Sequence, residues 1–497
     1  MRAPGEGKGV NLRSACCVAM LLAGTGARAD SPRGPNEPMA PHVSIHRLEL
    51  EHWKLAEASG WKPPGDRGST RLSPRAPRLG SPNHEVHGYH PYWMGTSYLD
   101  YDWSLLTSVA FFGLELNGSG AVTDAHGWPW NTLVTTAHDN GVRVLVTAIL
   151  HSNAQLTTLL GSAANRQAAI ASIVSAVVAG NADGASVDFE GVPGTRKQAL
   201  VDFMGELRTA LLGAVPGGYL SIATPAVDWS NAFDYDSLAA RCDHLMVMGY
   251  DYHWSGSATT GPVAPLAGWG TYNVAWTIAD YVHWGAPRDK ILLGVPYYGY
   301  RWPSASETAG APTTGTGTAL QYSTVVQEAE SHGRLWDAAG STPWYREQTP
   351  QWRQGWYDDE QSLGAKYERV LSEELAGVGI WALGYDGTRP ELWGALATAF
   401  RPTTSATTGG PRAPLRCDPN PFRDAISFRV DPHAAPARLT IYDVNGRLVR
   451  DLAPGAATGD LRWDGRDVAG HPVASGVYIV RFASGGRAQI GRIVRLE

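Results

Sequence analysis

Between residues 86 and 386 the chain alternates short apolar runs with stretches of helical period. The eight apolar runs are at 86–93, 108–116, 142–150, 184–190, 219–227, 244–252, 291–300 and 377–386. Residues 166–179 and 196–212 each place their apolar side chains on one face of a helix. Apolar strands that alternate with amphipathic helices are typical of a parallel sheet. Eight such units predict an α/β fold, a (β/α)₈ TIM barrel over residues 84–400.

Two further regions follow from the same patterns. Residues 301–357, between the seventh and eighth runs, are rich in Gly, Thr, Trp and Tyr and predict a small insertion subdomain. Residues 401–415 have the composition of a flexible linker. After them, short period-two stretches return without helices, and Asn445-Gly446 is a strong hairpin signal. Residues 416–497 therefore predict an all-β, Ig-like sandwich.

The amino-terminal region has the pattern of an export signal. Basic residues precede an apolar run at 15–23, and Ala27-Arg28-Ala29 gives a small-x-small cleavage pattern, so residues 1–29 predict a signal peptide. We therefore expect a secreted or cell-surface protein with no membrane span. Residues 30–83 are rich in Pro and Arg and are expected to be extended or disordered. Within them, an amphipathic helix over 44–58 is expected to dock on the main domain.

Composition narrows the range of partners. The chain is 43% hydrophobic and 18% charged, with 41 basic against 47 acidic residues and a net charge of −6. A mildly acidic chain without a long basic run makes nucleic acid a poor partner. The excess of 19 Trp and 20 Tyr over 9 Phe is common in clefts that bind sugars, although core packing explains most such residues.

Two carboxylates close the fourth apolar run. Side chains alternate along a strand, so Ser186, Asp188 and Glu190 share one face, which in a barrel points inward. Burying two carboxylates in an apolar strand is costly unless they have a chemical task. One carboxylate raises the pKa of the other, so we expect Glu190 to be protonated near neutral pH while Asp188 makes hydrogen bonds. Capping of the barrel rim, or pairing with arginine, is an alternative that the spacing leaves open.

Aromatic and acidic residues end two further runs. Tyr250 and Asp251 close the sixth run, and Trp381 lies in the eighth. Active sites of such barrels lie at the carboxyl ends of the strands, so these residues are expected to meet the carboxylates of the fourth run. A hydroxyl, a carboxylate and an indole ring together suit a pyranose and its polar substituents.

Five segments carry a resemblance to a known family. They are VHGYHPYW (86–93), DGASVDFE (183–190), MGYD (248–251), KILLGVPYYGY (290–300) and GIWALG (379–384). In this order, over about 84–400, they resemble glycoside hydrolase family 18. A third strand that ends near His151 is similar to the branch of spore-cortex and peptidoglycan N-acetylglucosaminidases. The resemblance implies a retaining hydrolase in which the substrate's own 2-acetamido oxygen is the nucleophile.

The same resemblance implies roles for individual residues. Glu190 would be the general acid and base, Asp188 would orient the acetamido N–H, and Tyr250 would hold the acetamido carbonyl. Trp381 would form the floor of the sugar subsite. The remaining substrate-binding positions are Asp251, Tyr89, Tyr298, Ser186 and Asp183, of which Asp183 would support the strand from below.

One departure concerns the substrate. Chitinases of the family have a third Asp where this chain has Ser186, which makes chitin less expected than another glycan of N-acetylglucosamine. The expected partner is a polysaccharide containing N-acetylglucosamine, either peptidoglycan or a chitin-like polymer. We expect no cofactor and no metal, with His84, His87 and His90 as a weak alternative cluster. A non-hydrolytic, lectin-like protein on the same barrel remains the rival interpretation.

The tail has its own signature. DPNPF (418–422), IYDVNGRLVR (441–450) and the final RIVRLE resemble the FlgD-like Ig fold and the sorting domains of type IX secretion cargo. This resemblance implies contact with secretion machinery or the cell surface; a passive spacer is the alternative.

Overall fold

A computed structural model describes residues 42–66, 75, 82–401, 416–418, 420–429, 437–443, 448–452, 460–484 and 487–496. The chain divides into two compact units, at residues 1–401 and 402–497. The predicted signal peptide, nearly all of the predicted linker and the predicted Asn445-Gly446 turn lie outside the described residues. Among the residues that are described, no helix is both long and apolar enough to cross a bilayer.

Eight parallel strands form a closed barrel in the first unit, which confirms the predicted fold. The ring closes because the first strand pairs with both the second and the eighth. In chain order, the strands are β1 (Glu85–Pro91), β2 (Ser108–Leu116), β3 (Arg143–Leu150), β4 (Gly184–Phe189), β5 (Tyr219–Pro225), β6 (His244–Met248), β7 (Ile291–Pro296) and β8 (Gly377–Trp381). A short strand, Val122–Asp124, pairs antiparallel with β2.

Helices follow most of these strands and cover the barrel. The α-helices of the barrel are Asn131–Asp139, Asn153–Gly161, Ala163–Ala179, Lys197–Ala214, Tyr235–Ala239, Val274–His283, Glu360–Ser372 and Glu391–Phe400. Short 3₁₀ segments occupy Tyr92–Asp100, Trp103–Leu105, Gly194–Arg196 and Arg288–Lys290. Both helices expected from the apolar periodicity are therefore present.

Three barrel strands, β6, β7 and β8, end well before their apolar runs. β6 ends at Met248, and Asp251 has a φ of 60°, which is incompatible with a strand. β8 ends at Trp381 and β7 ends at Pro296. Tyr298–Pro303 then begins the predicted insertion subdomain. Its five antiparallel strands lie in the order Thr318–Gln321, Tyr298–Pro303, Trp352–Trp356, Thr342–Gln348 and Leu335–Asp337, with a helix at Tyr322–His332.

The second unit is all β, as predicted. One sheet contains Arg416–Asp418, Ile426–Arg429 and Asp460–Trp463, and the other contains Leu448–Leu452, Ala437–Tyr442, Gly476–Ser484 and Arg487–Arg495. Phe428, Ile441 and Trp463 are fully buried in a core of their own.

The helix predicted in the Pro/Arg-rich segment is present as α1 (Ile45–Ala58). It begins where the pattern placed it, because the Ser44 side chain accepts a hydrogen bond from the Arg47 N–H and caps the first turn. Its apolar residues Ile45, Leu48 and Leu50 are buried in the barrel core, so α1 docks on the barrel.

Candidate active site

The carboxyl end of β4 presents the two predicted carboxylates to the barrel interior. Asp188 is fully buried, and Glu190 follows directly after the strand with a 13% exposed side chain. The Glu190 N–H donates to the Leu150 carbonyl at the end of β3 (3.1 Å), which keeps residue 190 in step with the ladder. The alternation of a strand thus brings both carboxylates to one place.

Two histidines lie against these carboxylates. His151, just beyond β3, has its Nε2 2.9 Å from Asp188 Oδ2 and 3.7 Å from Glu190 Oε1. His46 of α1 has its Nδ1 3.1 Å from an oxygen of each carboxylate. The pair therefore neither caps an open rim nor binds arginine: its partners are imidazoles, one of which comes from outside the barrel.

The histidines determine the protonation of the site. Burial lowers the pKa of His46, but the Asp188 and Glu190 carboxylates outweigh burial and raise it to about 10. Burial raises the pKa of the Asp188 carboxyl, but the charges of His46 and His151 bring it well below its usual value. At neutral pH the site thus contains an imidazolium and an ionised Asp188.

The expected protonation of Glu190 is wrong for this arrangement. Burial and the nearby Asp188 both raise the pKa of Glu190, as the sequence suggested. The charge of His151 and the contact with His46 lower it further than that, so the net pKa lies below its usual value. The sequence pattern predicted the effect of one carboxylate on the pKa of the other. It could not predict that α1 brings the cation of His46 to both.

Tyr250 and Trp381 complete the predicted constellation. The Tyr250 hydroxyl lies 2.8 Å from His46 Nε2, on the other side of the imidazole from Asp188. The imidazole lies over the Trp381 indole, with ring centroids 3.7 Å apart and an interplanar angle of 31°. Asp188, Glu190, Tyr250 and Trp381 therefore converge on one small volume, which the ring of His46 occupies.

Other predicted residues surround that volume. Tyr298 donates to Asp251 Oδ1 (2.5 Å), and Asp251 Oδ2 accepts the Ile45 N–H at the start of α1 (2.8 Å). Tyr89 and Ser186 are buried below the carboxylates, with their hydroxyls 3.0 Å apart. Ser186 is uncharged and gives Asp188 no charged partner within β4. The imidazoles of His46 and His151 are its charged partners instead.

Asp183 does not belong to the cleft. It lies just before β4, at the amino end of the barrel, where it accepts hydrogen bonds from the Val144 N–H (2.8 Å) and from His138 Nε2 (2.9 Å). Its grouping with the substrate-binding residues is therefore wrong, whereas support of the strand from below describes its position correctly.

Three site residues had no predicted role: His46, Glu49 and His151. Glu49 Oε2 accepts hydrogen bonds from Trp381 Nε1 (2.9 Å) and from the Tyr385 hydroxyl (2.7 Å). Burial raises the pKa of Glu49 to about 7. The sequence did contain a signal for the role of α1. A helix predicted to dock on the barrel carries a histidine and a glutamate on the face that it buries.

Within the described residues, two groups of side chains bring possible metal ligands close together. One is His46, Asp188 and Glu190, and the other is Glu115, Asp124 and His126. The first is already paired internally as cation and carboxylates, and in the second Glu115 pairs with Lys54 (2.6 Å) and His126 (3.0 Å). Of the three histidines near β1, His87 and His90 are buried, and burial lowers the pKa of each to about 3.

A cleft at the carboxyl end of a (β/α)₈ barrel that joins a buried carboxylate, a second and partly exposed one, a tyrosine hydroxyl and an indole face has the position and the polar groups of an enzyme active site. A family model described as Glycosyl hydrolases family 18 matches residues 85–386, and one described as FlgD Ig-like domain matches residues 422–486. The chain belongs to glycosyl hydrolase family 18.

Individual relatives agree with this assignment. YdhD of Bacillus subtilis (strain 168), named as a candidate sporulation-specific glycosylase, is 30% identical over 223 residues, 42% of this chain and 49% of that protein, so the match spans about half of its length. Di-N-acetylchitobiase of Mus musculus is 28% identical over 336 residues, 60% of this chain and 84% of that protein. The family 18 chitinase of Cycas revoluta in complex with allosamidin shares the fold, with a TM-score of 0.58 at 20% identity, over 63% of this chain and 99% of that chain.

Proposed function

We propose that the protein hydrolyses β-linked polymers of N-acetylglucosamine with retention of configuration, using the substrate's acetamido group as nucleophile. The observation that carries this proposal is the convergence of Asp188, Glu190, Tyr250 and Trp381 on a volume the size of one small ring. Each of the four offers a contact that an N-acetylated pyranose can use.

Asp188 and Tyr250 match the two ends of an acetamido group. The amide N–H donates to the Asp188 carboxylate, and the amide oxygen accepts from the Tyr250 hydroxyl. Held in this way, the oxygen attacks the anomeric carbon as the glycosidic bond breaks, and the leaving oxygen takes a proton from Glu190. Water then attacks the anomeric carbon from the face that the leaving group occupied, opens the cationic oxazolinium ring and loses its proton to Glu190. The ionised Asp188 stabilises the positive charge that develops on the ring.

Glu190 must be protonated at the start of this reaction. The charge of His151, together with the contact and charge of His46, holds the pKa of Glu190 below its usual value. Burial and the Asp188 charge both act in the opposite direction, so removal of the His46 cation raises the pKa of Glu190 toward the range that a general acid needs. The proposed chemistry therefore requires an arrangement of the site without His46.

His151 belongs to the barrel and remains the charged partner of Asp188 when α1 is absent from the site. Because Ser186 stands where chitinases have a third Asp, no carboxylate lies below Asp188 on β4 to share a proton with it. The Nε2 of His151 contacts Asp188 Oδ2 instead (2.9 Å), and the carboxylates raise the pKa of His151. We assign His151 as a positioning residue that keeps Asp188 ionised and aimed at the acetamido N–H.

The named relatives and Ser186 guide the choice of substrate. A chitobiase and a chitinase point to N-acetylglucosamine oligomers, whereas a sporulation-specific glycosylase and the loss of the third Asp favour peptidoglycan. We propose peptidoglycan first and chitin-like polymers second. The signal pattern in residues 1–29 supports action outside the cytoplasm. The FlgD-like domain supports a role in contact with the cell surface or with secretion machinery.

The test uses mature protein, residues 30–497, and its Glu190→Gln variant. Each is incubated with peptidoglycan and with N-acetylglucosamine oligomers at several concentrations up to saturation, and new reducing ends are identified by mass spectrometry. Cleavage that Glu190→Gln abolishes supports the proposal, and the fragment masses identify the bond. Binding of a glycan by both proteins without cleavage, both with His46 and after His46→Ala, would replace the glycosidase with a lectin.

A further inference from the structure

We propose that α1 is an internal inhibitor whose His46 occupies the position of the substrate's acetamido group, so that saccharide enters the cleft only after the helix leaves. This inference rests on the proposed function, because it concerns the regulation of the same site. It assigns a role to residues 42–58, which lie outside the part of the chain that the family model matches.

The barrel does not need α1 to close. The helix ends at Ala58, whereas β1 and the family match both begin at Glu85. The ring of eight strands closes through the pairs that β1 makes with β2 and β8. The helix is therefore an addition to a complete barrel, and it is placed over the carboxyl ends of the strands, where substrate must bind.

The imidazole of His46 occupies the positions proposed for the reacting group. Its Nδ1 is placed as the acetamido N–H would be, 3.1 Å from Asp188. Its Nε2 lies 2.8 Å from the Tyr250 hydroxyl, to which the protonated ring donates, whereas an acetamido oxygen at that position would accept. Protonated, it is a planar, cationic, five-membered ring, as is the oxazolinium formed in the proposed reaction. A ring that copies the shape and charge of an intermediate, and its donor contact to Asp188, occupies the site that binds that intermediate best.

Two further contacts fix the helix at this site. Glu49 accepts hydrogen bonds from the Trp381 indole N–H and from the Tyr385 hydroxyl, so Trp381 is covered on its face by His46 and bound at its edge by Glu49. The Ile45 N–H, a free donor of the first helical turn, donates to Asp251. A sugar ring cannot lie on Trp381 while these contacts exist.

The choice of residues argues against a helix that merely covers an apolar surface. His46 is fully buried and Glu49 is 6% exposed, and burial of ionisable groups is costly unless their partners are well placed. Leucine or isoleucine at both positions would cover the barrel at lower cost. The described contacts of both side chains with polar groups are to residues that line the cleft.

The helix fills only part of a larger groove. A cavity of about 950 Å³ remains beside it, lined on one side by Arg47 and Glu51 of α1 and on the other by Ser152 and Gln155 after β3. A polymer chain can therefore contact the protein beside α1 while the reacting subsite stays closed. The inhibitor competes for one subsite, so its removal is expected to change KM more than kcat.

The test compares two full-chain variants that each place an aspartate on α1. His46→Asp places a third carboxylate against Asp188 and Glu190 and should expel α1. Ala58→Asp places the same side chain at the exposed end of the helix, where it is not among the residues that line the groove. Release of α1 is measured by amide hydrogen exchange over residues 45–58. Turnover is measured with an aryl glycoside of N,N′-diacetylchitobiose, and binding is measured by calorimetry with tetra-N-acetylchitotetraose.

We expect His46→Asp to release α1 and to lower KM at least about tenfold with little change in kcat, since apparent affinity scales with the open fraction. Ala58→Asp should stay within about twofold of the wild type. If His46→Asp still protects α1 from exchange, the double variant His46→Asp/Glu49→Lys is used, and protection retained there would overturn the proposed docking contacts.

The remaining outcomes separate the two proposals. Equal KM values for wild type and the released variant would overturn the inhibitor and leave the glycosidase standing. Binding of the tetrasaccharide by the released variant alone, without turnover of the glycoside or of peptidoglycan, would retain the inhibitor and overturn the glycosidase. A released variant that neither binds nor cleaves either the oligosaccharides or peptidoglycan would overturn both.

Discussion

The two ends of β4 each carry an aspartate that meets histidine, and the two pairs differ in what the histidine belongs to. At the amino end, Asp183 accepts from His138 and from the Val144 N–H, and its side chain is 21% exposed. At the carboxyl end, Asp188 is fully buried and meets His46 and His151. Five residues, about 16 Å of extended strand, separate them.

The difference lies in the origin of the partners. His138 and Val144 are local parts of the barrel, so the Asp183 pair fastens the start of β4 to its neighbours. His46 comes from a helix outside the barrel and is separated from Asp188 by 142 positions along the chain. A pair made within a fold connects parts of that fold, whereas a pair made with a removable segment leaves a charged binding site when the segment departs.

The largest expected difference between the two ends is in turnover. Asp188→Asn removes the charge that the oxazolinium needs, so kcat should fall by about 10²- to 10⁴-fold. Asp183→Asn, which makes the same change at the other end, should leave kcat within about threefold of the wild type. Both are measured in the His46→Asp background, so that α1 does not compete with the substrate. Equal losses in both variants would mean that Asp188 serves only the fold.

The docking of α1 should depend on pH through His46. The groups that face its imidazole are Asp188, Glu190, His151, Tyr250 and, within α1, Glu49. The pKa of His46 is raised from 6.5 to about 10 on docking, so its contribution to docking is complete below pH 6.5 and is lost as pH rises through about 10.

The measurement is the opening free energy of α1 from amide exchange, corrected for intrinsic rates, in wild type and His46→Ala. The loss in the variant should be about 3–5 kcal/mol at pH 6, as for other broken buried ion pairs, and should shrink toward pH 10. A loss that is the same at both pH values would show that His46 docks as a neutral ring.

The Asp183 pair should appear in global stability. Burial raises the pKa of Asp183, but the hydrogen bonds from His138 and Val144 lower it further, to a net value below 3.8. Its contribution is therefore complete above that value and is lost as pH falls through the folded-state pKa. In denaturant unfolding, Asp183→Asn should cost about 1–3 kcal/mol at pH 7 and less at pH 2. A cost that does not shrink in acid would assign the loss to packing.

The same comparison explains what could be predicted from the sequence. The eight strands, and the inward positions of Asp188 and Glu190, follow from period-two alternation and from strand order, which are local properties of the chain. The apolar runs overshot β6, β7 and β8, which end at Met248, Pro296 and Trp381. The contact of His46 with Asp188 is a tertiary one, and no local pattern encodes it. The sign of the Glu190 pKa shift depends on that contact and was missed with it.

The smallest expected effect concerns Glu49, the second anchor of α1. Its pKa is raised from 4.5 to about 7 by burial, so its contribution to docking is complete below pH 4.5 and is lost as pH rises through about 7. Glu49→Gln keeps an amide oxygen that can accept from Trp381 and Tyr385 but does not titrate. The opening free energy of α1 should therefore change by about 1 kcal/mol or less at pH 7, because a neutral acceptor replaces a carboxylate that burial disfavours.

The dependence of that energy on pH between 4.5 and 7 should be weaker in Glu49→Gln, while the dependence above pH 7, which belongs to His46, should remain. An unchanged slope below pH 7 would place the titrating group elsewhere in the cleft and leave His46 as the only pH-sensitive contact that α1 contributes.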